Sequence, residues 1–323
     1  MSKVWRGATA LAFALVAGFG VVGPGAAAAA PARLEDPEAN IVQELVIQAK
    51  APGPAWWTVS DADSTVYILG VGEDPLPPGV TWDRRFVDRR LKGANSLIVA
   101  TRVNLKGGVR DIPALLRMRK QMRSKTPLEA GLPAPLRARF VAARERIGQP
   151  ASRYDDWKPF LAGLQLLGDA QKGQRGPAVV DAVIKTARRE KAKVVQPASY
   201  KAMPVLQTAM ASLTPQLQEQ CLDLALRDVE APAARTVAAA RGWARGDVAA
   251  ALTEPRNVER CLLLMGGGTE LWRRVNADNA AAIAAALQKP GHSVAVVHLR
   301  ALLAEGGVAQ LLEARGLEVE GAR

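Results

Sequence analysis

Val294-Ala295-Val296-Val297 and Leu97-Ile98-Val99-Ala100 are apolar at every position. Side chains of a strand alternate between its two faces, so such runs suit a sheet covered on both sides rather than one with a wet face. The cover is helical. Val180, Val183, Ile184 and Ala187 keep the i, i+3, i+4, i+7 spacing of an amphipathic helix, and Lys193-Val194-Val195 follows as a short strand. The stretches Pro204 to Leu226, Ala231 to Ala244 and Leu271 to Leu287 are rich in Ala and Leu at helical period. Leu115, Met118 and Met122 share a face of a further helix, whose Arg117, Arg119, Lys120 and Arg123 read as a solvated surface. No internal repeat or long linker divides the chain. The fold class is therefore α/β: a single domain with a central, mainly buried β-sheet and a large helical middle section.

The edges of that domain are also readable. Trp56-Trp57-Thr58-Val59-Ser60 and Thr65-Val66-Tyr67-Ile68-Leu69 are β-branched and aromatic runs on either side of Asp61-Ala62-Asp63-Ser64, the pattern of a hairpin. At the other end, a helix from about Gly307 to Arg315 closes on Gly316. Residues 31–54 form a leader with one short helix, Ile41 to Gln48, stopped by Pro52-Gly53-Pro54. The domain proper is expected over 55–323.

Lys3 and Arg6 precede an apolar stretch from Ala8 to Val22, then Gly23-Pro24-Gly25 and an Ala run to Ala30. These are the charged, apolar and small-residue parts of a secretory signal peptide, residues 1–30, and the apolar part is short for a membrane span. The expectation is export, to the periplasm in a bacterium with an outer membrane, and no integral membrane segment after cleavage. In an oxidising compartment Cys221 and Cys261 can pair. A disulfide is the expected state, and two buried thiols are the alternative.

Lys plus Arg number 43 against 31 Asp plus Glu, a formal charge of +12. That balance suits anionic partners such as acidic polysaccharide or lipid head groups. Aromatic residues are only 5%, with no basic stripe interleaved by rings, which argues against nucleic acid.

Catalytic templates are few. The chain has no G-x-S-x-G, no G-x-x-x-x-G-K-[ST] and no C-x-x-C, and Gly266-Gly267-Gly268 reads as a helix connection. With only His292 and His298 available, a multi-histidine zinc cage is excluded. His292 falls in an expected solvated turn after Pro290-Gly291. His298 stands at the carboxyl end of an apolar strand, where ligands of open α/β sheets gather, although a lone histidine there is more often a hydrogen-bonded core residue.

The order of motifs resembles the TraB/GumN proteins, relatives of the Tiki metalloproteases. Trp57-x-Val59-Ser60-Asp61-x-Asp63-Ser64-Thr65-Val66-Tyr67-Ile68-Leu69-Gly70 with Leu76-Pro77-Pro78-Gly79 resembles their opening. Trp157-Lys158-Pro159, Val180-Asp181 and Trp243-Ala244-Arg245-Gly246-Asp247 resemble central segments, and Val294 to Leu299 with Gly316-Leu317-Glu318-Val319 resembles the end. The resemblance implies a divalent-metal site built on two G-x-x-H motifs and acidic residues. Here the first motif reads Gly70-Val71-Gly72-Glu73, the second keeps His298 but has Ala295 for its glycine, and the acidic positions are Ala100 and Ala198. The family's Arg-Asn pair appears as Val275-Asn276 beside Arg274.

A catalytic divalent ion needs about three protein ligands and an open position. The resemblance therefore implies a degraded site, no cofactor, and a binding or scaffolding role toward an anionic envelope component or a protein. The alternative is a rewired hydrolase, peptidase or esterase, in which His298 and Glu73, with Asp74 as a further oxygen donor, hold manganese, cobalt or zinc.

Overall fold

The sheet is built from strands that the two all-apolar runs anchor. In a computed structural model of the chain, residues 36–49, 52–72, 74–100, 102–104, 112–172, 176 and 178–321 are described. The segment expected to be a signal peptide, 1–30, lies outside them, as does Glu73. Strands are β1 (Trp56–Ser60), β2 (Ser64–Val71), β3 (Ser96–Val99), β4 (Arg102–Asn104), β5 (Lys193–Val195), β6 (Ser199–Lys201), β7 (Gly291–His298) and β8 (Glu320–Gly321). Six of them form one mixed sheet in the order β5-β3-β7-β2-β1-β8, and β4 with β6 makes a small parallel pair. The run β5-β3-β7-β2 is parallel, whereas β1 returns antiparallel beside β2. The expected α/β domain is thus present, with β7 and β2 at its centre.

Local chemistry sets the hairpin. Asp61 Oδ1 accepts from the Ser64 amide at 2.9 Å and its hydroxyl at 2.7 Å, closing the turn between β1 and β2. Those hydrogen bonds, led by the one from the Ser64 side chain, hold the Asp61 carboxyl below its ordinary range.

Packing explains the apolar runs. Leu97, Ile98, Val99 and Val294 through Val297 are all buried, in one core with Val179, Val183 and Ala187 of the helix Val179–Arg189 and Ala280 and Ile283 of the helix Gly268–Ala286. The helical middle has its own apolar centres, one around Phe140, Tyr154 and Leu222, another around Phe160, Ala209 and Met265. In the latter Cys221 and Cys261 are joined, their Cα atoms 5.5 Å apart, tying the helix Pro215–Glu230 to the helix Asn257–Leu264.

Three expectations change in detail. The helical stretch Pro204 to Leu226 is two helices, Ala202–Ser212 and Pro215–Glu230. Thr214 Oγ1 caps the second by accepting from the Leu217 amide, and Pro215, which lacks an N–H, suits a first helical position. His292 lies within β7 rather than in a solvated turn, half-buried, with Nε2 3.0 Å from the Arg90 carbonyl oxygen and its ring edge-on to Tyr67.

The leader differs most. Instead of a helix from Ile41 to Gln48 there is one 3-10 turn, Gln43–Leu45, and residues 36–49 run over the domain as a strap. Backbone bonds pin it: Val42 N to Leu303 O at 2.9 Å, Ala49 N to Gly246 O at 2.9 Å, Val248 N to Ile47 O at 3.2 Å. Leu45 and Ile47 point into the core between less buried neighbours, a period of two that belongs to extended chain. Gly246 lets the strap pass, since a Cβ there would stand 2.3 Å from Ala49 Cβ and its φ is +76°.

Candidate functional site

Because β2 and β7 are parallel neighbours, their carboxyl ends emerge together, with Val71 opposite His298. The backbone there is tightly held. Trp243 Nε1 donates to the Gly70 carbonyl at 2.7 Å, and a Cβ on Gly70 would meet Leu299 at 2.7 Å and Trp57 at 2.9 Å. Gly70 is therefore a packing requirement, and Trp243 is the strut that fixes the end of β2. Asp247, four residues beyond Trp243 on the chain, caps the short helix Val248–Ala251 by accepting from the Ala250 amide at 2.9 Å.

Around His298 lies a cavity of about 10 Å³, lined by Gly72, Glu254, Arg256, Glu259 and Arg300 as well as the imidazole. This is room for about one water molecule. His298 itself is exposed, and its imidazole makes no hydrogen bond among the described residues. The expected core histidine is thus a surface one: β7 ends there, and the chain turns directly into the helix Leu299–Leu303.

The charges in this cavity are organised by arginine. The Arg256 side chain is only 9% exposed and reaches Asp36 at 2.5 Å and Glu38 at 2.6 Å, both on the strap, with Glu259 at 3.7 Å. Trp272 Nε1 donates to Glu38 at 2.9 Å and Arg260 stands 3.5 Å from Asp36. Burial opposes the charge of Arg256, but the hydrogen bond to Asp36 and the nearby carboxylates outweigh it and raise its pKa. Arg300 donates to the Leu252 carbonyl oxygen. Its pKa is lowered, first by burial and then by repulsion from Arg256.

The family-like positions converge only in part. His298 and Gly72 share the cavity, while Ala100, after β3, and Ala198, after β5, offer methyl groups. Asn276 is buried, and neither atom of its amide has a hydrogen-bond partner among the described residues. Among the described residues no three His, Cys, Asp or Glu side chains group as a metal site would require. Arg256, Arg300, Glu254 and Glu259 were not singled out by sequence. The acidic pair Asp36 and Glu38 in the leader was the available signal, because carboxylates that close together call for a cation once they are buried.

The TraB/PrgY/gumN family model matches residues 55–321. The chain belongs to this family. No curated protein and no solved structure matches it. The TraB/PrgY/gumN match starts where the strap has ended, so Asp36 and Glu38 are an addition to the matched region that reaches back to its His298 end. Within the match, the segment from Trp243 to Asp247 has a structural account: a strut for β2, a glycine under the strap and a helix cap.

Proposed function

We propose that this TraB/PrgY/gumN protein is an exported, non-catalytic member with a binding or scaffolding role in the cell envelope. The observation that carries the reading is the pair of guanidiniums, Arg256 and Arg300, lining the cavity beside His298. A divalent cation placed there would stand beside the Arg300 guanidinium, which bonds a backbone carbonyl rather than a carboxylate, with Arg256 already drawing Asp36 and Glu38 to itself and one imidazole left to hold the ion, against the three ligands a catalytic ion normally uses. Glu254 and Glu259 border the same cavity, but Glu259 already lies within ion-pair distance of Arg256. Ala100 and Ala198 remove two further acidic donors.

Export rests on the sequence from Lys3 to Ala30, and cleavage near Ala29 or Ala30 would leave the whole strap on the mature chain. Intact-mass measurement of the exported protein tests this part: the expected mass begins near Ala30, and retention of Met1 would contradict it. The catalytic part is tested by following hydrolysis of peptide and ester substrates with added manganese, cobalt or zinc. Equal background rates for the parent protein and His298→Ala are expected. Turnover that disappears in both His298→Ala and Glu73→Ala would establish the rewired hydrolase instead.

A further inference from the structure

Far along the chain from His298, the loop after β2 and the end of the helix Ala233–Ala244 enclose an open groove of about 570 Å³, within the size range of small-ligand sites. Its walls include Trp82, Asp83, Arg241 and Arg245, and Gly53 and Gly79 contribute bare backbone. We propose that this groove binds an acidic saccharide, with a uronate-type carboxylate on the arginines and a sugar ring on Trp82. The inference rests on reading the protein as a binding protein, but the two can fail separately, since the groove is assayed by saccharide and the His298 site by metal.

Charge in the groove is unbalanced toward the cation. Arg241 and Arg245 are exposed and form no ion pair among the described residues, whereas Asp83 is occupied by Arg85 at 2.6 Å and 2.9 Å. That bridge, chiefly its hydrogen bond, keeps the Asp83 carboxyl below its ordinary range and ionised. Two forked guanidiniums one helical turn apart are suited to bidentate recognition of carboxylate. Trp82 supplies the second element. Its ring is half-buried and packs at 5.5 Å and 58° against Trp243, itself tied to Gly70, so the aromatic surface is held in place before a ligand arrives.

The shape selects among anions. The groove's walls are loops and a helix end with no strand edge, so an acidic peptide could not add itself as a strand. A bilayer surface would call for a protruding aromatic, and Trp82 sits within a concavity. A sugar presents both an apolar face for the indole and a carboxylate for the arginines. The formal charge of +12 would favour encounter with any polyanion, but it gives no such choice.

Titration calorimetry of the full exported protein with trigalacturonate tests the assignment, with maltotriose as the neutral counterpart. The expected result is saturable binding that maltotriose does not reproduce. Affinity should fall roughly tenfold or more in Arg241→Gln/Arg245→Gln and weaken in Trp82→Ala, with Trp82→Phe recovering part of the loss. The arginine pair is exposed, so its variant tests recognition without touching the core. Absence of trigalacturonate binding, or binding unchanged in the arginine pair, would overturn the proposal. Equal or tighter binding of polyglutamate or of phosphatidylglycerol vesicles, lost in the same variants, would overturn it in favour of an acidic peptide or a membrane surface.

Discussion

Arg256 and Glu38 are 218 residues apart in the chain and 2.6 Å apart in the fold, both almost wholly buried. With Asp36 they join the strap before the family domain to the cavity that contains His298. Buried ion pairs are weak contributors to net stability, but breaking one from a single side leaves an uncompensated charge.

Arg256→Met should therefore destabilise the protein by about 3–5 kcal/mol, because Asp36 and Glu38 stay buried without their cation. Adding Asp36→Asn and Glu38→Gln should restore a substantial part of that loss. Urea denaturation of the parent, single and triple variants measures both. A loss in Arg256→Met below about 1 kcal/mol would mean that the cluster is effectively solvated.

Trp243→Phe keeps an aromatic ring but removes the Nε1–H that Gly70 receives. The expected cost is about 1–2 kcal/mol for the unpaired carbonyl and the smaller ring, and Trp243→Ala should cost about 3–5 kcal/mol. Thermal melts of the two variants give the comparison. A Phe variant as damaging as the Ala one would show that packing, not the hydrogen bond, governs this strut.

The sheet was legible because its strands are apolar at successive positions and its hairpin turn is rich in Asp, both local signals. The helix Val179–Arg189 was legible through its apolar stripe. The strap was not, because Ile41, Val42, Leu45 and Val46 also fit a helical spacing, and what decides is tertiary: Trp57 Nε1 donates to Leu45 O, and Leu303 and Gly246 supply backbone partners. Similarly, sequence located His298 at the end of a buried strand but could not place Arg256 beside it. Such a contact is created by the chain's return, and no spacing within either segment records it.

Cys221→Ala/Cys261→Ala removes a crosslink that closes a loop with a sequence separation of 40. The expected loss is about 2–4 kcal/mol, most of it through a less restricted unfolded chain. Comparing urea midpoints of the parent with and without reductant, and of the double variant, checks this. Reductant should move the parent and leave the variant unchanged.

Asp169 accepts from Arg153 and, at 2.9 Å, from the Tyr154 hydroxyl. The Arg153 hydrogen bond is the largest influence on its carboxyl and holds the pKa below the ordinary 3.8 against the opposing effect of burial. A carboxyl depressed in the folded state stabilises it above the unfolded value, and this contribution is lost as pH falls through the folded value. Asp169→Asn should be less stable at neutral pH and should lose less stability on acidification below 3.8 than the parent. Melting temperature against pH for the two proteins measures the difference. Parallel acid limbs would contradict the assignment.

We propose loss of metal binding at the His298 site, where one imidazole remains and Ala100 and Ala198 stand at two acidic positions. Calorimetric titration of the purified full-length exported protein with manganese, cobalt and zinc at neutral pH addresses it most directly. The expected result is no stoichiometric binding tighter than about millimolar, and no difference between the parent and His298→Ala. One equivalent of any of these ions bound at micromolar affinity, and lost in His298→Ala, would contradict it.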